Sequence, residues 1–82
     1  MTEEAVFEII VLMICEVMPE LEGHAFQLDD RLVDLGANSI DRAEIVTMIL
    51  EALSLPIPRV ELSGAKSIGD LVRILYEKTS SV

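Results

Sequence analysis

Three blocks of the chain place apolar residues at helical spacing, each bounded by residues that start or stop helices. The first opens behind Thr2, a side chain able to accept from an orphan amide, with Glu3, Glu4 and Glu8 near the positive end of the helix dipole. It runs to about Met18, because the residue before Pro19 avoids helical angles. From Val6 to Cys15 it is apolar on nearly every side. Its β-branched richness would suit a strand, but its length, its cap and the absence of turn residues favour a helix. One core face does not need so much apolar surface. The helix is therefore either wholly buried or carries part of a docking or dimer surface.

The second block runs from Ile40 to Leu53. At about 100° per residue, Ile45, Val46, Ile49, Leu50 and Leu53 gather on one side, while Ile40, Glu44, Thr47 and Glu51 fall opposite. Asp41 and Met48 take the edges. Pro56 and Pro58 forbid continuation. Pro58 suits the start of a short turn through Arg59-Val60-Glu61-Leu62, closed by Ser63-Gly64. The third block begins at Ser67-Ile68-Gly69-Asp70, which resembles a capping box with Asp in place of Glu. Ile68, Leu71, Val72, Leu75 and Tyr76 recur at helical spacing to about Lys78, leaving 79–82 as a frayed tail. The pattern predicts an all-α bundle of three to four helices in a single domain, 1–82, with helices near 2–18, 39–53 and 67–78 and a turn near 59–63.

Between the first two helices lies a long connection, Glu20 to Leu35. Loops beyond about a dozen residues are uncommon unless packed or functional. Leu28, Leu32, Val33 and Leu35 are expected to pin it over the core while its acids stay wet. Asp29, Asp30 and Asp34 invite a calcium reading, which fails: an EF-hand loop starting at Asp29 would put Arg31 and Val33 at ligand positions and Asp34 where glycine is needed. His24 receives no role.

Composition narrows the chemistry. The 82 residues are 51% hydrophobic but 4% aromatic, with four Met, so the core is aliphatic and adaptable in shape. The lone cysteine, Cys15, excludes an internal disulfide, and with one His there is no metal site and no obvious Cys-His pair. Cys15 reads as a small buried hydrophobe. A net charge of -9 repels nucleic acid phosphates and anionic membranes and steers toward basic patches on protein partners. The apolar run is too short to span a membrane, and the start Thr2-Glu3-Glu4 is not that of a secretory signal. A soluble, cytoplasmic protein is expected.

The chemistry-bearing stretch is Leu35-Gly36-Ala37-Asn38-Ser39-Ile40-Asp41. Gly36 permits a chain reversal. Asn38 and Ser39 are both preferred cap types, and with Asn38 as the cap, Asp41 falls at the third helical position. Ser39 is then either a plain cap residue or a hydroxyl presented where helix amides and dipole favour an anion.

This stretch resembles the attachment motif of acyl carrier proteins, usually Gly-x-Asp-Ser-Leu or Gly-x-Asp-Ser-Ile. Leu-Asp-Asp-Arg-Leu-Val-Asp-Leu-Gly before it resembles the family's loop between helices I and II, and the likeness covers nearly the whole chain. It implies an acyl-carrier-type bundle, not an enzyme, with 4'-phosphopantetheine from coenzyme A joined covalently to Ser39. Asn38 stands where the family usually has Asp: it keeps the capping geometry and lacks a charge that carrier-modifying enzymes often read. In the family the second helix is the main recognition surface. The resemblance thus makes Asn38, Ile40, Asp41, Arg42, Glu44 and Met48 partner-contact candidates, with Arg42 departing from the acidic norm and so expected to tune which partners are accepted. It also makes Ile57, Val60, Leu62 and Ala65 candidates for an acyl pocket, where each has ordinary core packing as its alternative.

Asn-Ser-Ile-Asp-Arg-Ala-Glu-Ile and Ile-Pro-Arg-Val-Glu-Leu-Ser-Gly-Ala-Lys-Ser-Ile-Gly are similar to freestanding donor carriers of polyketide β-branching cassettes, with Arg42, Arg59, Ala65 and Lys66 carrying that likeness. The implied partners are a phosphopantetheinyl transferase, a hydroxymethylglutaryl (HMG)-synthase-like enzyme, a ketosynthase-type decarboxylase and an acyltransferase, with the chain itself monomeric and its cargo malonyl or acetyl. The competing readings are a fatty-acid-synthesis carrier, a peptidyl carrier, and a helical interaction module with no prosthetic group.

Overall fold

The computed structural model describes residues 1–80. Its α-helices are α1 (Glu3–Val17), α2 (Ser39–Ala52) and α3 (Ile68–Ser80), with 3-10 helices at Pro19–Leu21 and Arg59–Leu62. No strand occurs among the described residues; one isolated bridge joins Arg31 and Ser67. The all-α bundle with a long first loop is as the pattern predicts. One expected boundary differs. Thr79 and Ser80 belong to α3, where the Thr79 hydroxyl donates to the Tyr76 carbonyl at 3.0 Å and Lys78 Nζ meets Glu61 Oε1 at 2.9 Å. Ser81 and Val82, the rest of the expected tail, lie outside the described residues.

Helix α1 is the axis of the fold. Thr2 Oγ1 accepts the Ala5 amide at 3.1 Å, so the cap expected at Thr2 is in place. Val6, Ile10, Ile14 and Met18, one helical turn apart, form the buried edge. They meet Ile45, Ile49 and Leu50 of α2 and Ile68, Leu71, Val72 and Leu75 of α3 in one cluster. Burying each such side chain contributes about 1.5–3 kcal/mol. The rest of α1 is wetter: Ile9, Val11 and Cys15 are half-buried, and Leu12 is 55% exposed. Cys15 is therefore not the buried hydrophobe expected, because it lies off the buried line that carries Ile14. Partial desolvation, with Glu22 and Glu16 nearby, pushes its thiol pKa up and keeps it protonated.

The first loop is tied to the start of α3 by backbone hydrogen bonds. The Ile68 amide donates to the Asp30 carbonyl at 2.9 Å and the Gly69 amide to the Leu28 carbonyl at 2.7 Å. A Cβ on Gly69 would sit 3.0 Å from that Leu28 oxygen, so any larger residue would have to push this backbone contact apart by a few tenths of an ångström. Asp30 accepts the Gln27 amide at 2.8 Å and lies 3.2 Å from His24 Nε2; these contacts hold its carboxyl below the usual range. Leu32 is buried and Leu35 packs on the core as expected, but Leu28 and Val33 are 58% and 57% exposed. The backbone anchors account for the difference, since they fix the loop without needing those two side chains.

Helices α2 and α3 each pack on α1 and scarcely touch one another. The short helix Arg59–Leu62 packs against α2, and Lys78 of α3 is tied to its Glu61. A cavity of about 350 Å³ opens in the gap, bounded by the first loop, α2, this short helix and α3.

Candidate functional site

The loop reverses into α2 through a tight turn. The Ala37 amide donates to the Leu32 carbonyl at 3.0 Å and the Gly36 amide to the Val33 carbonyl at 3.1 Å. Gly36 takes φ +97°, a left-handed conformation that side chains disfavour. Ala37 beyond it is buried, which anchors the turn to the core. Of the two cap types, Asn38 takes the cap position and Ser39 is the first residue of α2. Asn38 Oδ1 accepts the Asp41 amide at 2.8 Å, and Asp41 Oδ2 accepts the Asn38 amide at 3.3 Å, a reciprocal capping box.

This leaves Ser39 exposed at the open end of the helix. Its hydroxyl makes no hydrogen bond among the described residues, so it is unpartnered as well as reachable. An esterified anion there would meet the amides of the first turn and the positive end of the helix dipole, worth about 0.3–1 kcal/mol at an exposed site. That is too little to hold a ligand unaided but enough to favour a covalently attached phosphodiester. The residues present therefore fit such a group.

The outer face of α2 is as the helical spacing predicts. Ile40 is 74% exposed, Glu44, Thr47 and Glu51 are exposed, and Asp41 and Met48 are half-buried at the margins. Arg42 does not stand with them. Its Nη1 donates to the Ala37 carbonyl at 2.7 Å, and the side chain borders the cavity. The reason is angular: Arg42 precedes Ile45, Val46 and Ile49 by three, four and seven residues, so it shares their side of the helix. That signal was present in the sequence.

The four acyl-pocket candidates separate. Leu62 and Ala65 line the cavity that Arg42 and Ala43 border. Ile57 lines a different, shallow groove with Leu50, Leu55 and Pro56. Val60 is 70% exposed and belongs to neither wall, because the short helix turns Leu62 inward instead. Arg31 and Lys66, brought beside Arg42 and Arg59 at the cavity, were not linked to it by spacing; they come from separate segments of chain.

The family model for phosphopantetheine attachment sites matches residues 8–75 of this chain. The chain belongs to that family of carrier proteins. It is 58% identical over 81 residues, 99% of both chains, to the polyketide biosynthesis acyl-carrier-protein AcpK of Bacillus subtilis (strain 168). An acyl carrier protein of Clostridium perfringens (strain SM101 / Type A) is 39% identical over 46 residues, 56% of this chain and 60% of that one. Among solved structures, a chain in the complex of the curacin biosynthetic pathway HMG synthase with acetyl donor-ACP superposes with a TM-score of 0.88. It is 47% identical, and the match covers 92% of this chain and 96% of that chain. The carrier's cofactor is 4'-phosphopantetheine, and as a carrier it holds cargo without catalysing a reaction. No described helix is long and apolar enough to cross a membrane.

Proposed function

We propose that this carrier bears 4'-phosphopantetheine on Ser39 and serves as an acetyl donor to an HMG-synthase-like enzyme in polyketide β-branching. The supporting observation is the unpartnered, exposed Ser39 hydroxyl at the first position of α2, in a chain 47% identical to one from an HMG synthase–donor carrier complex. Priming breaks the pyrophosphate bond of coenzyme A: the Ser39 oxygen bonds to the phosphorus that carries the pantetheine, its proton leaves, and the adenosine bisphosphate departs. The thiol at the end of the arm supplies the thioester that holds the acyl group. The protein supplies presentation and recognition, with Asn38 and Asp41 fixing the first turn of α2 and Ile40, Glu44 and Met48 offered to partners. A phosphopantetheinyl transferase, a ketosynthase-type decarboxylase and an acyltransferase complete the set, all in the cytoplasm.

Intact mass after incubation with coenzyme A, magnesium and a broad-range transferase tests the attachment. Wild type is expected to gain one phosphopantetheine and the Ser39→Ala variant none. Failure of wild type to gain mass refutes carrier function at this serine, and gain by the variant refutes the assignment. Donor function is tested by loss of acetyl from the acetyl-loaded protein on adding an HMG synthase. Retention there, with ready elongation by a fatty-acid ketosynthase, would favour the fatty-acid reading.

A further inference from the structure

The charge of this chain is distributed unevenly. Against fifteen Asp and Glu it has six Lys and Arg, and four of these, Arg31, Arg42, Arg59 and Lys66, border the cavity of about 350 Å³. No carboxylate lines that cavity. The remaining two cations are paired, Arg73 with Asp70 at 3.1 Å and Lys78 with Glu61 at 2.9 Å. The four at the cavity make no ion pair among the described residues, and the one partner of Arg42 is the neutral Ala37 carbonyl. They arrive from four segments: the first loop, α2, the short helix and the approach to α3. In a protein of net charge -9 with abundant acids to pair with, four cations without ion pairs converge on one apolar-floored opening and make it a positive patch on an otherwise acidic protein.

The opening starts close to the attachment serine. Arg42 and Ala43 lie three and four residues beyond Ser39, on the neighbouring surface of the same helix. Val46 and Leu62 make the wall apolar further in. We infer that this cavity receives the acyl end of the arm and that Arg31, Arg42, Arg59 and Lys66 hold the free carboxylate of a short dicarboxylic acyl group, of which malonyl is the smallest. Arg presents a planar fork that matches a carboxylate, and Lys66 adds a point charge. A plain acyl group such as acetyl has nothing to offer these cations. The protein therefore distinguishes a carboxylate-ended cargo from the same cargo after decarboxylation, drawing the first toward its own surface and leaving the second free for transfer.

This inference rests on attachment at Ser39, so loading is verified by intact mass before anything else; failure there refutes the attachment reading and is seen separately. Wild-type protein carrying the bare arm, acetyl or malonyl is then compared by nuclear magnetic resonance at neutral pH and low salt. Malonyl is expected to shift the side-chain N–H signals of Arg42 and Arg59 and to give contacts from its methylene to Val46 and Leu62 methyls. The bare arm and acetyl are expected to do neither. In the Arg59→Gln/Lys66→Gln variant, changed at two exposed positions, the backbone spectrum should persist and the malonyl-specific shifts should fall several-fold. Identical malonyl and acetyl spectra would overturn the proposal and leave the cations to an acidic partner surface. Equal shifts with the bare arm would overturn it in favour of the phosphodiester as the anion.

Discussion

Replacing Asn38 with Ala removes the acceptor that closes the first turn of α2 while leaving Ser39 itself untouched. The magnitude follows from the two bonds of the capping box. The Asp41 amide to Asn38 Oδ1 bond is 2.8 Å and the reciprocal one is 3.3 Å, both exposed. Losing an Asn cap to Ala typically costs about 1 kcal/mol. The longer reciprocal bond contributes no more than about 0.5 kcal/mol, the low end for an intramolecular hydrogen bond. Asn38→Ala should therefore destabilise by about 1 kcal/mol and Asp41→Ala by about half as much. Because both bonds brace one turn, the double variant should lose less than the two losses added together. For a domain of this size about 1 kcal/mol corresponds to a fall of roughly 4–8 °C in Tm. Thermal unfolding followed by far-ultraviolet circular dichroism at neutral pH measures it. Priming by a transferase should also slow, since a frayed first turn presents the hydroxyl in many orientations. An Asn38→Ala variant that melts within about 1 °C of wild type, roughly an eighth to a quarter of the shift expected for a lost cap, would show that the box does not organise this end of the helix.

Three further outcomes follow from the geometry. Ser54 sits at φ 54° just past α2, where the Leu55 amide reaches the Leu50 carbonyl at 3.0 Å and the Ser54 amide the Glu51 carbonyl at 3.1 Å, a Schellman ending built without glycine. Ser54→Gly relieves a left-handed penalty of about 1–2 kcal/mol, offset in part by the glycine entropy loss of roughly 0.5–1 kcal/mol, so urea unfolding should show a small gain in stability. Asp70 accepts the Lys66 and Ser67 amides at 3.1 and 3.3 Å, which together with Arg73 hold its carboxyl below the usual value. A carboxyl depressed in the folded state stabilises above its unfolded pKa and loses that contribution as pH falls through its folded one, so the Tm gap between wild type and Asp70→Asn should narrow below about pH 4. Glu44→Lys reverses one charge on the exposed face of α2; affinity for an HMG synthase should drop while helix content stays unchanged, and equal affinity would remove Glu44 from the recognition surface.

What the sequence determined by itself was local. Helix positions followed from apolar spacing and from side chains acting on amides within four residues, as at Thr2, Asn38 and Ser67, and these interactions need no distant partner. The exposed hydroxyl of Ser39 and the outward Ile40 were legible for the same reason, since a cap and a helical angle are fixed by neighbours in the chain. The direction of Arg42 was legible too, in the angle it shares with Ile45 and Ile49, although the family resemblance had set it among the partner-contact candidates. Only the tertiary structure decided what four separate segments do together. Leu28 and Val33 were left in water because backbone bonds to Ile68 and Gly69 already hold the loop, and Val60 turned outward while Leu62 turned in. Arg31, Arg42, Arg59 and Lys66 came to one opening because α2 and α3 both lean on α1 and leave a gap between themselves. Spacing along the chain specifies a face of a helix; it does not specify which remote face will stand across from it.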